Sequence, residues 1–454
     1  MKTIAAVSTP RAAGGISIIR ISGDRSFEIA DRLFKPLSDS KRPSEMNGYT
    51  CAYGYYSDEN GTKIDSGILT VFRSPRSYTG EDVVELSCHG GIFVTGRLLD
   101  EIISHGAFPA EPGEFTKRAF LNGKMSLTQA ESVMDIISAE GEAFRRSAEQ
   151  MLDGALYKSI KLRSDKLTDI LGDIAAWVDY PEDDIPAVNA DDLRRSLVIL
   201  SDELKKISST YRTGKILREG IDTVIAGKPN VGKSTLMNLL SGCERSIVTD
   251  IAGTTRDIVE ESVRLGDIVL RLSDTAGIHS TDDIIENIGV ERAEKKIGSA
   301  GLVLAVFDIS EPLDEDDRKL IDICGNCKNV IAVMNKSDKD IYCDSEKILS
   351  SFKYSVVLSA KNGSGTDELK DLLYKLFLSE NISEDFAINE RQKKCLDEAV
   401  ICLDEAVSAI DFGDTFDGIN IILDEALSHL LELTGERVSE AVVDNVFSKF
   451  CVGK

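Results

Sequence analysis

Gly227-Lys-Pro-Asn-Val-Gly-Lys-Ser234 is a glycine-framed loop that ends in a lysine and a hydroxyl residue. This spacing lets backbone amides turn inward on phosphate groups, while the lysine brings a point charge to the β and γ phosphates and the hydroxyl offers a magnesium ligand. Asn230, Val231, Gly232, Lys233, Ser234 and Thr235 are the candidate phosphate-contacting residues. Alone, the pattern also arises as a glycine-rich turn. Here Asp274, Thr275, Ala276 and Gly277 follow the next strong apolar run, placing a carboxylate near the metal and the Gly277 amide near the γ-phosphate. Asn335-Lys336-Ser-Asp338 closes a later run, and Ser359, Ala360 and Lys361 close the last one. That order and spacing are those of guanine-nucleotide switches. Asp338 selects the base: a carboxylate accepts from the guanine ring N–H and exocyclic amine, whereas adenine presents an acceptor there. Asn335 and Lys336 read as residues that hold the base loop and cover the ring.

Hydrolysis needs more. Ile278 stands where a Ras-like switch carries the glutamine that orients water. Charge developing between the phosphates must be neutralised otherwise, by an arginine supplied in trans or by a bound monovalent cation. Asn230 offers a side-chain carbonyl oxygen beside the phosphates, and Thr249, Asp250, Ile251, Ala252, Gly253, Thr254 and Thr255 form a segment small enough to wrap carbonyl oxygens round an ion. Thr255 or Thr254 would ligate magnesium. A switch segment without any ion is the alternative reading.

The elements that must position these residues are legible as periodicities. Buried strands are expected at 222–226, 269–273, 302–307, 330–334 and 355–358, each followed by a polar or glycine loop, the mark of a doubly wound parallel sheet. Residues 1 to about 120 show short β-prone runs, such as 16–21 and 67–72, between turn signals, and read as a compact α+β domain. Leu167, Ile170, Leu171, Ile174 and Val178 recur at helical spacing, so 127–211 should be long amphipathic helices. Ile419, Leu423, Ala426, Leu427 and Leu430 line a face of a further helix, with Gly435 as its stop. The expected organisation is an α+β domain at 1–121, helical parts at 122–217 and 382–454, and a Ras-like G domain at 218–381 inserted between them.

The chain has 454 residues, 42% hydrophobic and 29% charged, which suits several soluble globular domains. Its 53 basic and 77 acidic side chains give a net charge of -24, which argues against a broad basic face for gripping nucleic acid unaided. No apolar run is long enough to span a membrane and no secretory signal is apparent, so a cytoplasmic protein is expected. Nine cysteines, an odd number, do not form a disulfide framework. Cys324 and Cys327 have metal-like spacing but lack a second pair, and read as a loop-end coincidence. His89, before two glycines, could face a ligand or hold a turn. Cys451 could be an exposed reactive thiol or a small packing residue beside Phe450.

Gly-Thr-Thr-Arg256-Asp257, after the phosphate loop, resembles the Era-like and TrmE-type bacterial GTPases. The terminal Phe450-Cys-Val-Gly-Lys454 is similar to the Phe-Cys-Ile-Gly-Lys ending of the MnmE/TrmE family of tRNA-modifying GTPases, with Val452 in the isoleucine position. Gly15–Gly23, Tyr78–Leu86, His89–Gly91, Pro112–Lys124 and Ala130-Glu131 resemble further blocks of that family, so the likeness spans the chain. It implies a homodimer joined through the N-terminal domain, which binds formyl- or methylene-tetrahydrofolate at Arg20, Glu85, Lys124 and Lys454. It implies a FAD-containing MnmG/GidA-type partner in a heterotetramer, with carboxymethylaminomethyl-type modification at carbon five of the wobble uridine of certain tRNAs; the acidic balance suggests that the partner supplies most of the basic surface for the tRNA. It also implies G domains that pair across potassium held by Asn230, Thr249, Ile251 and Thr254, with Ser234 and Thr255 on magnesium and Glu286 positioning water. Residues alone do not separate Glu286 from Asp282 and Asp283. His279 departs from relatives that carry arginine there. The rival reading is an Era-like regulatory or ribosome-assembly GTPase without carbon-transfer chemistry; such relatives usually append a basic RNA-binding domain, and here the added parts are acidic.

Overall fold

Apolar residues alternating at period two give strands that bury one face. In the computed structural model, which describes residues 2–37, 41–179, 189–243, 261–273, 296–325, 327–343, 345–378 and 386–454, the N-terminal region forms seven of them. They are β1 (Ile4–Val7), β2 (Ile16–Ser22), β3 (Phe34–Pro36), β4 (Thr50–Ser57), β5 (Lys63–Phe72), β6 (Val83–His89) and β7 (Phe108–Pro109), in spatial order β3-β4-β5-β6-β2-β1-β7. Neighbours are antiparallel except β1 and β7. Helices α1 (Ser26–Leu33) and α2 (Ile92–Ser104) cover the sheet, so that Ile29, Leu33, Leu98 and Ile102 share one core with Ile19, Ile21, Leu69 and Leu86. This is the α+β domain expected.

Next come α3 (Glu114–Leu121), α4 (Leu127–Ser138), α5 (Glu142–Leu152), α6 (Ala155–Asp179), α7 (Ala190–Ser209) and α8 (Tyr211–Glu219). The alternating region holds β8 (Ile221–Ala226), α9 (Lys233–Cys243), β9 (Glu261–Leu265), β10 (Ile268–Ser273), β11 (Leu302–Asp308), α10 (Glu315–Cys324), β12 (Val330–Asn335), α11 (Ser345–Ser351), β13 (Ser355–Val357) and α12 (Thr366–Phe377). The chain ends with α13 (Glu390–Phe412), α14 (Phe416–Thr434) and α15 (Glu440–Ser448). Ile419, Leu423, Ala426, Leu427 and Leu430 are buried along α14, and Gly435 caps it at a φ of 89°.

The second sheet runs β13-β12-β11-β8-β10-β9. Its pairs are parallel except β9, which joins β10 antiparallel through the turn at Gly266, φ 66°. That edge strand is an addition to the purely parallel sheet expected. β11 is buried along its whole length, as a central strand covered on both faces must be.

Two compact units group the chain: Met1–Met134 with Met151–Leu197 and Ile401–Lys454, and Asp135–Gln150 with Val198–Val400. In the first, Leu127 and Ala130 of α4 pack with Val443, Val446 and Phe447 of α15 and with Phe450. Among the described residues no helix is long and apolar enough to cross a membrane.

Candidate functional site

The phosphate loop runs from the end of β8 to the start of α9, where the first turn of a helix leaves amides unpaired and aimed at an anion. Its shape demands its residue types. Gly232 sits at φ 100°, and a Cβ there would stand 2.4 Å from Asn335 Nδ2; Asn230 takes φ 64°, which asparagine tolerates better than most. Asn230, Ser234 and Thr235 are exposed, whereas Val231 is buried and anchors the loop. Lys233 Nζ donates to the carbonyls of Gly227 and Lys228, both at 2.8 Å, so the loop's own carbonyls hold the ammonium at the point where phosphate oxygens would take it up.

Asn335 ties the second unit's loops together. Its Nδ2 donates to Val231 O (2.8 Å) and its Oδ1 accepts from the Ala360 amide (2.9 Å). Buried to 2%, it joins the phosphate loop to the Ser359–Lys361 loop, and losing either bond strands a buried group at a cost of about 1–3 kcal/mol. Asp338 accepts from the Ser359 hydroxyl at 2.6 Å, and that bond holds its carboxyl below the usual carboxylate range, ionised for a donor pair. Lys336, at φ 68°, pairs with Asp308, whose carboxylate Ser310 also steadies. Lys361 is exposed on the same loop.

Lys228 was not among the residues singled out, yet it braces the loop from outside. Its ammonium reaches Asp314 (2.7 Å) and Asp317 (2.8 Å), and Asp314 also caps α10. The two carboxylates raise the lysine's pKa against the opposing cost of burial. Thr249, Asp250, Ile251, Ala252, Gly253, Thr254, Thr255, Asp274, Thr275, Ala276, Gly277, His279 and Glu286 lie outside the described residues.

A second cluster lies on the N-terminal sheet. Arg20 and Glu85 are register partners across β2 and β6, and the guanidinium meets the carboxylate at 2.8 Å. The Arg20 guanidinium also lies 5.3 Å from the Tyr78 ring centroid and 5.6 Å from that of Phe115. The carboxyl-terminal tail is sewn to this sheet. Val452 bridges Pro112, the Gly113 amide donates to Cys451 O (3.3 Å), the Phe115 amide to Lys454 O (3.2 Å) and the Ser8 hydroxyl to Gly453 O (3.2 Å). Lys454 therefore ends beside Arg20 and Glu85. Burial, then the Arg20 charge, depress its pKa, with Glu85 and Cys451 opposing. Lys124 is placed on the neighbouring loop, where it donates to Pro75 O (3.0 Å) and lies against Gly80. Cys451 is exposed. Tyr78 and Phe115, which frame Arg20, carry no sequence signal of that role beyond their aromatic type.

Three further residues have these surroundings. His89, exposed at the end of β6, donates from Nδ1 to the Asp65 carboxylate (2.7 Å). Cys324 is 1% exposed in the core, where burial pushes its thiol up to about 12, and the Cys327 sulfur lies 3.7 Å from Ile297 O.

A sheet in this order, with its phosphate loop between β8 and α9, Asp338 after β12 and the Ser359–Lys361 loop that bonds to it after β13, defines a P-loop GTPase, an enzyme that hydrolyses GTP. The family model for the GTP-binding protein TrmE N-terminus matches residues 3–124, and that for the MnmE helical domain matches residues 127–451. The tRNA modification GTPase MnmE of Acetivibrio thermocellus is 42% identical over 460 aligned positions, covering 100% of this chain and 99% of that one. Its counterpart in Clostridioides difficile is 40% identical over 457 positions, with coverage of 100% and 99%. Among solved structures, Era from Aquifex aeolicus is 28% identical, covering 40% of this chain and 66% of that one with a TM-score of 0.28. The chain belongs to the MnmE family of tRNA modification GTPases.

Proposed function

We propose that this protein is a potassium-stimulated GTPase that works with a FAD-dependent MnmG/GidA-type flavoprotein to install a carboxymethylaminomethyl-type group at carbon five of the wobble uridine of certain tRNAs. The one-carbon unit comes from formyl- or methylene-tetrahydrofolate. The protein acts as a cytoplasmic homodimer joined through residues 1–121, with helical parts at 122–217 and 382–454 around a G domain at 218–381. The flavoprotein completes a heterotetramer and supplies most of the tRNA-facing surface, which accords with a net charge of -24.

The observation that carries the folate reading is the seating of Lys454 beside the Arg20–Glu85 pair by a tail that accepts from the Ser8 hydroxyl and pairs with the backbone of residues 112–115. Burial and the neighbouring Arg20 charge depress the pKa of Lys454 there, and a site with two cations beside one carboxylate suits an anionic ligand such as a glutamate tail. Glu85 is the acceptor available to a pterin's amine and N–H donors. Lys124 would reach the ligand from the 75–80 loop, and Cys451 beside Lys454 would be the thiol nearest the transferred carbon. In the G domain, Asn230, Thr249, Ile251 and Thr254 would hold potassium, Ser234 and Thr255 magnesium, Lys233 the β and γ phosphates, and Glu286 the attacking water. The exposure of Asn230 and Ser234 at the loop rim fits those roles for the two described ligands.

Titration calorimetry with 5-formyl-tetrahydrofolate tests the first half: deleting Lys454 weakens binding at least tenfold and leaves GTP hydrolysis unchanged. Full folate affinity in the truncated protein would remove the tail from the site. Mass spectrometry of wobble nucleosides from cells lacking the protein tests the second half, and unmodified uridines are expected there.

A further inference from the structure

Helices α13 and α14 form a hairpin of helices joined by residues 413–415 and bring together three donor groups with no role so far. The Cys402 Sγ of α13, a ring nitrogen of His429 and a carboxylate oxygen of Glu425, both of α14, all lie within 4.8 Å of one another. Glu425 and His429 are four residues apart, so the helix repeat alone puts them on one side. Cys402 faces them from the packed seam, 7% exposed, His429 is half-buried, and Glu425 opens to solvent.

The donor set is selective. Magnesium and calcium take oxygen ligands, whereas thiolate with imidazole suits zinc and similar borderline cations. Zinc bonds of about 2.3 Å to sulfur and about 2.0–2.2 Å to nitrogen and oxygen put tetrahedral ligands roughly 3.5 Å apart. Closing from 4.8 Å to that spacing needs about 1 Å of movement, which an exposed, flexible glutamate can supply. The Glu59, Glu101 and His105 group, the other such cluster among the described residues, has no sulfur donor and reads as surface ion pairing.

We propose that Cys402, Glu425 and His429 bind one zinc-class divalent cation, with water in the fourth position, and that this ion pins α13 to α14 away from their connecting turn. On binding, the Cys402 thiol gives its proton to solvent and the thiolate is compensated by the dication.

Cobalt reports the site, because a thiolate ligand gives a near-ultraviolet charge-transfer band. Full-length protein stripped with chelator and titrated with Co2+ in the absence of nucleotide should show that band, saturating at one ion per chain and displaced by Zn2+. Cys402→Ser should abolish it, while Cys451→Ser, a control for the exposed thiol, should retain it. Glu425→Gln lies on an exposed face and keeps the fold; it should weaken cobalt affinity by about tenfold or more with GTP turnover unchanged. The site is overturned if the wild-type protein gives no band, if the band survives Cys402→Ser, or if Glu425→Gln binds as tightly as wild type. Should Cys402→Ser fail to fold, Glu425→Gln alone decides.

Discussion

Asp338 accepts from the Ser359 hydroxyl through one carboxylate oxygen, which orients the group, and in the base reading its carboxylate complements a purine edge. Asp338→Asn exchanges an acceptor for a donor there, so guanine's amine meets a donor and xanthine's carbonyl meets its complement. GTP affinity should fall by a hundredfold or more, about 2.7 kcal/mol, and xanthosine triphosphate affinity should rise. Nucleotide titrations with both triphosphates check this, and unchanged GTP affinity would refute the base assignment. Lys454 carries a second prediction at this scale. Burial and Arg20 lower its pKa from 10.5, so the folded, ligand-free state binds fewer protons than the unfolded chain just below that pH, and stability rises with pH across that window. An anionic ligand reverses the shift. Folate binding at alkaline pH should therefore take up protons, which calorimetry in buffers of different ionisation enthalpy reads directly. Uptake should vanish below the depressed value, where the ammonium is already charged. Proton release on binding would contradict an anion beside this lysine.

At the scale of elements, the tail depends on one close approach. Gly453 lies at φ 97°, and a Cβ there would stand 2.3 Å from the carbonyl oxygen of Val7, a backbone atom that cannot swing aside. Gly453→Ala should lift the tail from the sheet, weaken folate binding at least tenfold and leave GTP turnover intact. Hydrogen exchange of residues 112–115 would show the loss of the tail bonds. This contact also marks the limit of what the sequence discloses. The phosphate loop, Asp338 and Ser359–Lys361 are legible because each is a local pattern at the end of an apolar run. Arg20 and Glu85 meet through a strand register that joins residues 65 positions apart, and nothing local encodes it. Without resemblance each would pass for a solvated charge. The β9 strand is five residues long and adds to the sheet edge through its pairing with β10, so its own periodicity is too short to disclose it. Lys228 reads as a loop charge until α10 brings Asp314 and Asp317 to it.

The whole molecule combines a net charge of -24 with an enzyme that must neutralise phosphate charge, and no glutamine follows the Asp274–Gly277 motif to order water. An anionic protein surface does not attract a second anionic surface, so the proposed pairing of G domains would require cations at the contact. In the proposed mechanism, potassium held by Asn230 and main-chain oxygens would supply both needs at once, compensating charge between the β and γ phosphates and allowing two copies to meet. Exchanging potassium for sodium, a smaller ion that the same oxygens hold less well, should lower GTP turnover tenfold or more, about 1.4 kcal/mol of barrier per factor of ten. Asn230→Ala should bring the potassium rate down to the sodium rate and remove the difference between the salts. In potassium the specific activity should climb with protein concentration until pairing saturates, while in sodium it should stay flat. Equal rates in both salts, with no dependence on concentration, would show that turnover proceeds within a single G domain and would leave Asn230 a residue of loop shape alone.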